Sequence, residues 1–331
     1  MRSSPAYELA SCPGCGSDHA EEIASADEIR EEVELLWEFH TDRLRPDTPP
    51  PHLIDRVAFS QQPPLRVVRC AECGLVYRNP RERDFELRDS YAGEEPDRDA
   101  LAALHETQRA TCAGQVERLG EVAGRAGRVL EVGSYVGGFL AAAGDAGWQA
   151  EGLDVNPVAN TFARELGLRV TEGDLESFAG PGGFDAVALW NCFDQLPDPG
   201  RAAHRAHSLL ADGGVIAIRV PNGAFYAAVR QRLAGPGARL ARLLLAHNNL
   251  LGFPYRHGFT LESLEHLLAR TGFTVERVYG DALVPIADEW TQGWAALEER
   301  VVKGALRLIA KGEAEAAPWI EVYGRRVGGR R

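Results

Sequence analysis

Four of the six cysteines stand in two matching C-x-x-C-G units, Cys12-Pro13-Gly14-Cys15-Gly16 and Cys70-Ala71-Glu72-Cys73-Gly74. The chemistry this spacing serves is coordination of a metal by four thiolates. A glycine after each second cysteine lets backbone amides turn toward the sulfurs. Cys12, Cys15, Cys70 and Cys73 together close a tetrahedral shell, so a Zn2+ ion held there is structural, because a catalytic zinc keeps an open position. A thioredoxin-like redox pair or two unrelated buried pairs are the other readings of the same spacing. Cys112 and Cys192 stand alone, and Cys112 falls on a helical stripe as a small core residue.

A second set of residues suits a cationic or nucleoside ligand. Glu131-Val132-Gly133-Ser134-Tyr135-Val136-Gly137 follows a short apolar run and precedes a helix, the strand, glycine turn and helix of a nucleotide-binding unit. Asp154 ends the next strand 21 residues beyond Gly133, where such a unit places the carboxylate that accepts hydrogen bonds from ribose hydroxyls. A dinucleotide turn reads G-x-G-x-x-G and presents a helix N-terminus to a pyrophosphate. Tyr135 occupies the position where that pattern needs a glycine, which disfavours a phosphate and ranks a nicotinamide dehydrogenase last.

The remaining candidates are histidines. His257 lies in Phe253-Pro254-Tyr255-Arg256-His257-Gly258-Phe259-Thr260, where an imidazole near neutral pKa takes a proton from a hydroxyl or an activated C–H, or else is a packed loop histidine. His204 and His207 share a helix face at i and i+3 without an acid or cysteine in register, which reads as a solvated face.

These residues need an alternating α/β frame to position them. Val129–Val132, 149–153, 168–171, Phe184–Trp190 and Val215–Val220 read as successive strands, and Asn156-Pro157 and Asp198-Pro199 as N-cap and first-turn signals of the helices between. Trp190 hands Asn191 to the C-terminal edge, where ligands of open α/β sheets lie. Upstream, 28–39 has helical spacing at Ile29, Val33, Leu36 and Trp37, and Pro46, Pro49, Pro50 and Pro51 mark a loop. Residues 81–99 read as a charge-rich linker and 99–119 as one helix. Downstream, 225–245 reads as one helical stretch, Thr260 as the cap of a helix closed by Gly272, 273–279 as a sixth strand, Trp290, Trp294, Leu297, Val301 and Leu308 as an amphipathic helix, and 319–323 as a last, antiparallel strand.

The chain has 331 residues and is 45% hydrophobic, enough for one large domain and a smaller module. Its 36 basic and 48 acidic residues give a net charge of −12, which argues against nucleic acid as a partner. No apolar run approaches the roughly 18 residues of a membrane span and no signal-type segment follows Met1, so the expectation is a cytoplasmic protein without membrane contact.

The E-V-G-S-Y-V-G turn with its acids resembles motif I, (D/E)-x-G-x-G-x-G, of the class I S-adenosylmethionine-dependent methyltransferases. The resemblance continues to Val220 through a segment similar to "L-x-P-G-G-x-x-x-x-x-x-P-N". Cys70 to Pro80 is similar to the "C-G-L-V-x-x-N-P" of N-terminal zinc ribbons in a subset of the bacterial enzymes. The resemblance implies a Rossmann-like, seven-stranded methyltransferase sheet over 91–328, preceded by a small zinc-ribbon module with a helical insert over 1–90. It implies that Glu131 organises the methionine amino group, Gly133, Tyr135 and Gly137 form the backbone cradle, Asp154 holds the ribose, Asp174 and Leu175 the adenine, and Asn191 lies at the same edge. The segment with Tyr255, Arg256 and His257 resembles the loop "Y-H-E-H-x-x-Y-F-S" of zinc-bearing deoxysugar C-methyltransferases, whose histidine aligns with His257, which makes His257 the candidate base, with Tyr255 beside it. Arg256 and Gln195 replace a glutamate and a histidine of that group.

The expected function is transfer of a methyl group from S-adenosyl-L-methionine to a small molecule, a sugar or secondary-metabolite precursor, at O, N or C. An RNA methyltransferase gripping nucleic acid with the ribbon and a non-catalytic cofactor-binding scaffold are the alternatives.

Overall fold

The computed structural model of the chain describes residues 7–57, 62–83, 93 and 97–328. Its backbone falls into two compact units, each assembled from several stretches. Among the described residues, one gathers those up to Arg81 with 220–264 and 279–320, and the other those from Glu82 to Arg219 with 265–278 and those from Glu321 on.

The first unit holds the cysteine segments. Strand β1 (Tyr7–Glu8) pairs with β5 (Arg81–Glu82), and β2 (Ala20–Ala24), β3 (Val67–Cys70), β4 (Val76–Arg78) and β11 (His257–Gly258) make a four-stranded sheet in the order β11-β4-β3-β2. The helical insert is real and longer than its apolar spacing indicated. Ser25 and Glu28 form a reciprocal capping box, and the helix runs Ala26–Arg43, since such a box satisfies two of the N–H groups a helix start leaves unpaired. The proline run is not wholly loop: Pro50 and Pro51 open a helix to Val57, where a missing N–H costs nothing.

The second unit is built on a seven-stranded sheet in the order β12-β13-β10-β9-β6-β7-β8, with β6 Arg128–Val132, β7 Gln149–Asp154, β8 Val170–Glu172, β9 Phe184–Trp190, β10 Leu210–Pro221, β12 Phe273–Asp281 and β13 Trp319–Arg326. This is the expected α/β sheet. Pairing is parallel from β10 through β9, β6 and β7 to β8. Six of the seven residues of β9 are buried, as a parallel strand covered on both faces requires, and each fully buried Leu, Val or Phe contributes about 1.5–3 kcal/mol. Order reverses beside β6, which leaves a crevice at the carboxyl ends of β6 and β9.

Several expected helices divide. The stretch from Asp99 becomes Arg98–Thr111 and Ala113–Ala123, hinged at Cys112. The stretch 225–245 becomes Gly223–Arg230 and Ala238–His247, because Gly235-Pro236-Gly237 cannot continue a helix. The last helix is Gly293–Gly312 and leaves Trp290 outside it. Most of the expected linker 81–99 lies outside the described residues. The caps at Asn156 and Asp198 are as read: their side chains accept from the amides of Ala159 and Arg201, each with proline in the first turn. Among the described residues no helix is long and apolar enough to cross a membrane.

Candidate functional site

The acids and glycines gather at the carboxyl ends of β6 and β7. Gly133, Tyr135 and Gly137 all adopt positive φ, at 73°, 41° and 72°. Tyr135 therefore takes the backbone shape of the glycine it replaces, at a cost of about 1–2 kcal/mol for a residue with a Cβ. Its amide is held in that turn by Asp154 Oδ2 at 2.8 Å, while Asp154 Oδ1 accepts from the Asn156 amide, also at 2.8 Å. One carboxylate thus fixes both the loop and the start of the next helix.

Gly137 is the N-cap of the helix Gly138–Asp145, and a Cβ there would stand 2.5 Å from Leu168 Cδ1. Gly137→Ala should lose roughly 2–4 kcal/mol of stability, from the left-handed strain plus overpacking. Urea denaturation measures this, and an unchanged midpoint would contradict the turn described.

Glu131 is 5% exposed, and its Oε2 has no hydrogen-bond partner. Burial, and then the charge of Asp154, push its pKa well above the usual carboxylate range. Burial also raises Asp154, opposed by the backbone amides it accepts from. Two acids in low dielectric with an open acceptor atom form a site for a cation that brings its own N–H groups. A positively charged amino-acid sulfonium fits that donor set.

Three residues that sequence reasoning passed over belong to this edge. Cys192 donates to the Val132 carbonyl at 3.0 Å and faces Gly133, where a Cβ would touch its side chain. Burial, followed by the charges of Asp194, Glu131 and Asp154, raises its thiol well above the ordinary value, which disfavours the thiolate that nucleophilic chemistry needs. Asp194 is fully buried, pushed up to about 7 by burial, and its Oδ1 lacks a partner, as does Ser134 Oγ. Ser134 lies inside the glycine turn itself, and the position of 192–194 just past β9 could have drawn attention to Cys192 and Asp194.

The other predicted cofactor residues sit farther out along the edge. Asn191 has φ 57°, and its Oδ1 accepts from the Arg219 guanidinium. Asp174 lies two residues beyond β8, where its Oδ1 accepts from the Ser177 amide and hydroxyl at 2.8 and 2.7 Å, while Leu175 is 3% exposed. Leu101, Val136 and Phe162 form a small core against which Tyr135 packs. His105 Nδ1 lies 2.8 Å from the Val136 carbonyl, so the helix 98–111 braces the glycine loop. A groove of about 730 Å³ opens elsewhere in this unit, lined by Glu106, Arg109, Ala113, Val116, Asp145 and Trp148. It contains none of the predicted residues, and its chemistry is that of a helix surface.

The four cysteines meet in the other unit. Their sulfurs all lie within 4.8 Å of one another, with Cys12 to Cys73 and Cys15 to Cys70 both at 3.6 Å. A tetrahedral zinc with sulfurs at about 2.3 Å sets them about 3.8 Å apart, so the cluster fits that ion. Tyr255 and His257 belong to this unit as well. His257 pairs with Tyr77 in the β4–β11 ladder and is 1% exposed, and Tyr255 is 5% exposed with its ring edge-on to Trp319 at 5.6 Å.

A parallel-cored sheet with buried acids and a glycine turn at its carboxyl edge is an α/β frame of the kind that binds ligands at that edge. Residues 104–278, just over half of the chain, match the methyltransferase domain family. The chain belongs to that family and is an S-adenosylmethionine-dependent methyltransferase. No curated protein matches it. Among solved structures it is similar to an S-adenosylmethionine-dependent methyltransferase from Archaeoglobus fulgidus, at 16% identity over 73% of this chain and 99% of that one, TM-score 0.43. A second, from Mesorhizobium loti, is 18% identical over 61% and 92% of the two chains, TM-score 0.41. The plantazolicin methyltransferase BpumL in complex with SAH is 14% identical over 73% and 94%, TM-score 0.44.

Proposed function

We propose that Glu131, Gly133, Tyr135, Gly137, Asp154, Asp174, Leu175 and Asn191 hold S-adenosylmethionine and that the enzyme methylates a small molecule, a sugar or secondary-metabolite precursor, at O, N or C. The observation that supports this most is the Glu131 carboxyl, raised by its burial and then by Asp154, with Oε2 unpartnered. Such a group is costly unless a cation answers it. In this reading Glu131 takes the methionine ammonium, Asp154 adds ribose hydroxyls to the amides it already accepts from, and Asp174 with Leu175 borders the adenine. Methyl transfer from a sulfonium is an in-line displacement with a good leaving group, so the protein's contribution is proximity and orientation. The net charge of −12 favours a small acceptor over a polyanion. The four cysteines hold a structural zinc.

The test is incubation of the purified protein with methyl-labelled cofactor, a metabolite extract and, separately, total RNA. Label in a small molecule is expected. Label in RNA alone would overturn the acceptor class.

The catalytic reading of His257 and Tyr255 rests on the resemblance of their loop. Both side chains are buried, and the His257 backbone is committed to a sheet, so packing competes directly with proton transfer as their role. His257→Asn separates the two. Turnover lost at unchanged cofactor affinity and unchanged melting temperature supports the base. A lowered melting temperature with normal turnover per folded molecule assigns His257 to packing.

A further inference from the structure

The helix Gly293–Gly312 turns its charges inward and its apolar residues outward. Its buried face consists of Ala295, Glu299, Lys303, Leu306 and Ala310. Lys303 Nζ meets Glu299 Oε1 at 2.5 Å, and the Glu299 carboxylate also accepts the amides of Ile286 and Ala287. This buried pair fixes which way the helix faces, because rotating it would strand two charges. The outward face is then Trp294, Leu297, Val301 and Leu308, exposed by 52, 60, 63 and 72%, with Ile309 at 49%. Arg300 is the only charged residue among the exposed ones between Gly293 and Ile309.

Spacings of three, four and seven residues, with Gly304 filling the intermediate position, make a seam of period 3.5, the pattern that packs one helix against another at a shallow angle. We infer that a second copy of this chain covers the seam, its helix antiparallel across a two-fold axis at Val301. The face is complementary to itself in that arrangement: Val301 meets Val301, Leu297 meets the small Ala305 beside Gly304, and Trp294 meets Leu308. At Leu297 a bulky residue enters the space left by Ala305 and Gly304, and every pair occurs twice, as a self-complementary isologous interface requires. The five side chains present on the order of 500 Å² of apolar surface, the upper end of what a monomer shows. Two such faces bury on the order of 1,000 Å², the lower bound of a specific interface. Charge points the same way. Copies bearing −12 each repel over most orientations, and this nearly uncharged face is where they can approach.

Sedimentation equilibrium of the full chain, from about 1 to 100 µM, should show a dimer with a dissociation constant on the order of micromolar. Leu297→Glu combined with Val301→Glu alters only exposed positions. It should raise that constant at least about a hundredfold and leave circular dichroism and cofactor binding unchanged. Val301→Cys should form a covalent dimer under mild oxidation, above the background of the native cysteines, while Leu308→Cys should not, because its partner position is Trp294. A wild-type monomer throughout the range overturns the inference, whether or not some other protein binds the seam. So does a double variant that dimerises as tightly as wild type. A wild-type dimer in which Val301→Cys fails to cross-link overturns the antiparallel axis.

Discussion

Glu131→Gln should weaken S-adenosylmethionine binding by about tenfold to a hundredfold, the loss of one charge-assisted hydrogen bond worth roughly 1.5–3 kcal/mol. The larger effect is on pH dependence. Burial and the neighbouring Asp154 hold the Glu131 carboxyl well above its ordinary range, while a bound ammonium or sulfonium needs it ionised. Binding must therefore expel a proton, and wild-type affinity should rise with pH through that raised titration. Stability of the ligand-free protein runs the other way. A carboxyl whose folded pKa exceeds its unfolded one stabilises the fold below the unfolded value and ceases to do so as pH rises through the folded one. Asp194, pushed up to about 7, has the same sign, its contribution fading between the ordinary aspartate range and neutrality. Calorimetry in two buffers of different ionisation enthalpy counts the released protons. Glu131→Gln should release fewer and be more stable than wild type, without ligand, above pH 7. Equal affinity and equal proton release in the two proteins would remove Glu131 from the donor site.

The place of the proposed donor residues in the fold was legible because strand, turn and acid follow one another within one βαβ unit. A parallel strand needs a continuous apolar run, and the residues at its carboxyl end are then placed by geometry alone. This is why β9 begins at Phe184 and ends at Trp190 as read, and why Glu131 and Asp154 fall at one edge. Tyr135 shows the limit of the pattern: its side chain breaks the motif, but the conformation a glycine would supply survives because Asp154 holds its amide. The burial of Asp194 and Cys192 was not legible, since it depends on strands brought together from distant segments, and Ser134 stood in the turn with no sign that its hydroxyl would be buried. Inward and outward faces were hardest. The stripe Trp294, Leu297, Val301 and Leu308 has the spacing of a core face and points to solvent, because the Glu299–Lys303 pair and the amides of 286–287 claim the opposite side. His257 is the same problem in a strand. Its loop-like neighbours, Gly258 and Pro254, gave no sign that it would pair with Tyr77.

Removing zinc should be the most damaging single change to the cysteine-bearing unit. Cys70 closes β3, and its amide bonds the Leu75 carbonyl at 2.8 Å, while the Cys12 amide bonds Ser17 at 2.8 Å. These are two separate turns, with 54 residues between Cys15 and Cys70, and the sulfurs are what bind one to the other. Structural zinc sites bind with on the order of 10 kcal/mol. Loss of even half of that should lower the melting temperature by roughly 10 °C or more in a chain of this size. Metal analysis should find one zinc per chain, and Cys70→Ser or a strong chelator should remove it. Because β4 joins β3 to β11, the segment bearing His257 loses its ladder partner when the ribbon loosens. Chelation should change cofactor affinity less than about threefold, since the proposed donor residues all lie in the seven-stranded unit, and where His257 acts as the base it should also abolish turnover. Absence of zinc, or a Cys70→Ser variant that melts like wild type, would refute the metal centre. Loss of cofactor binding in step with the metal would instead show the donor site to depend on the ribbon.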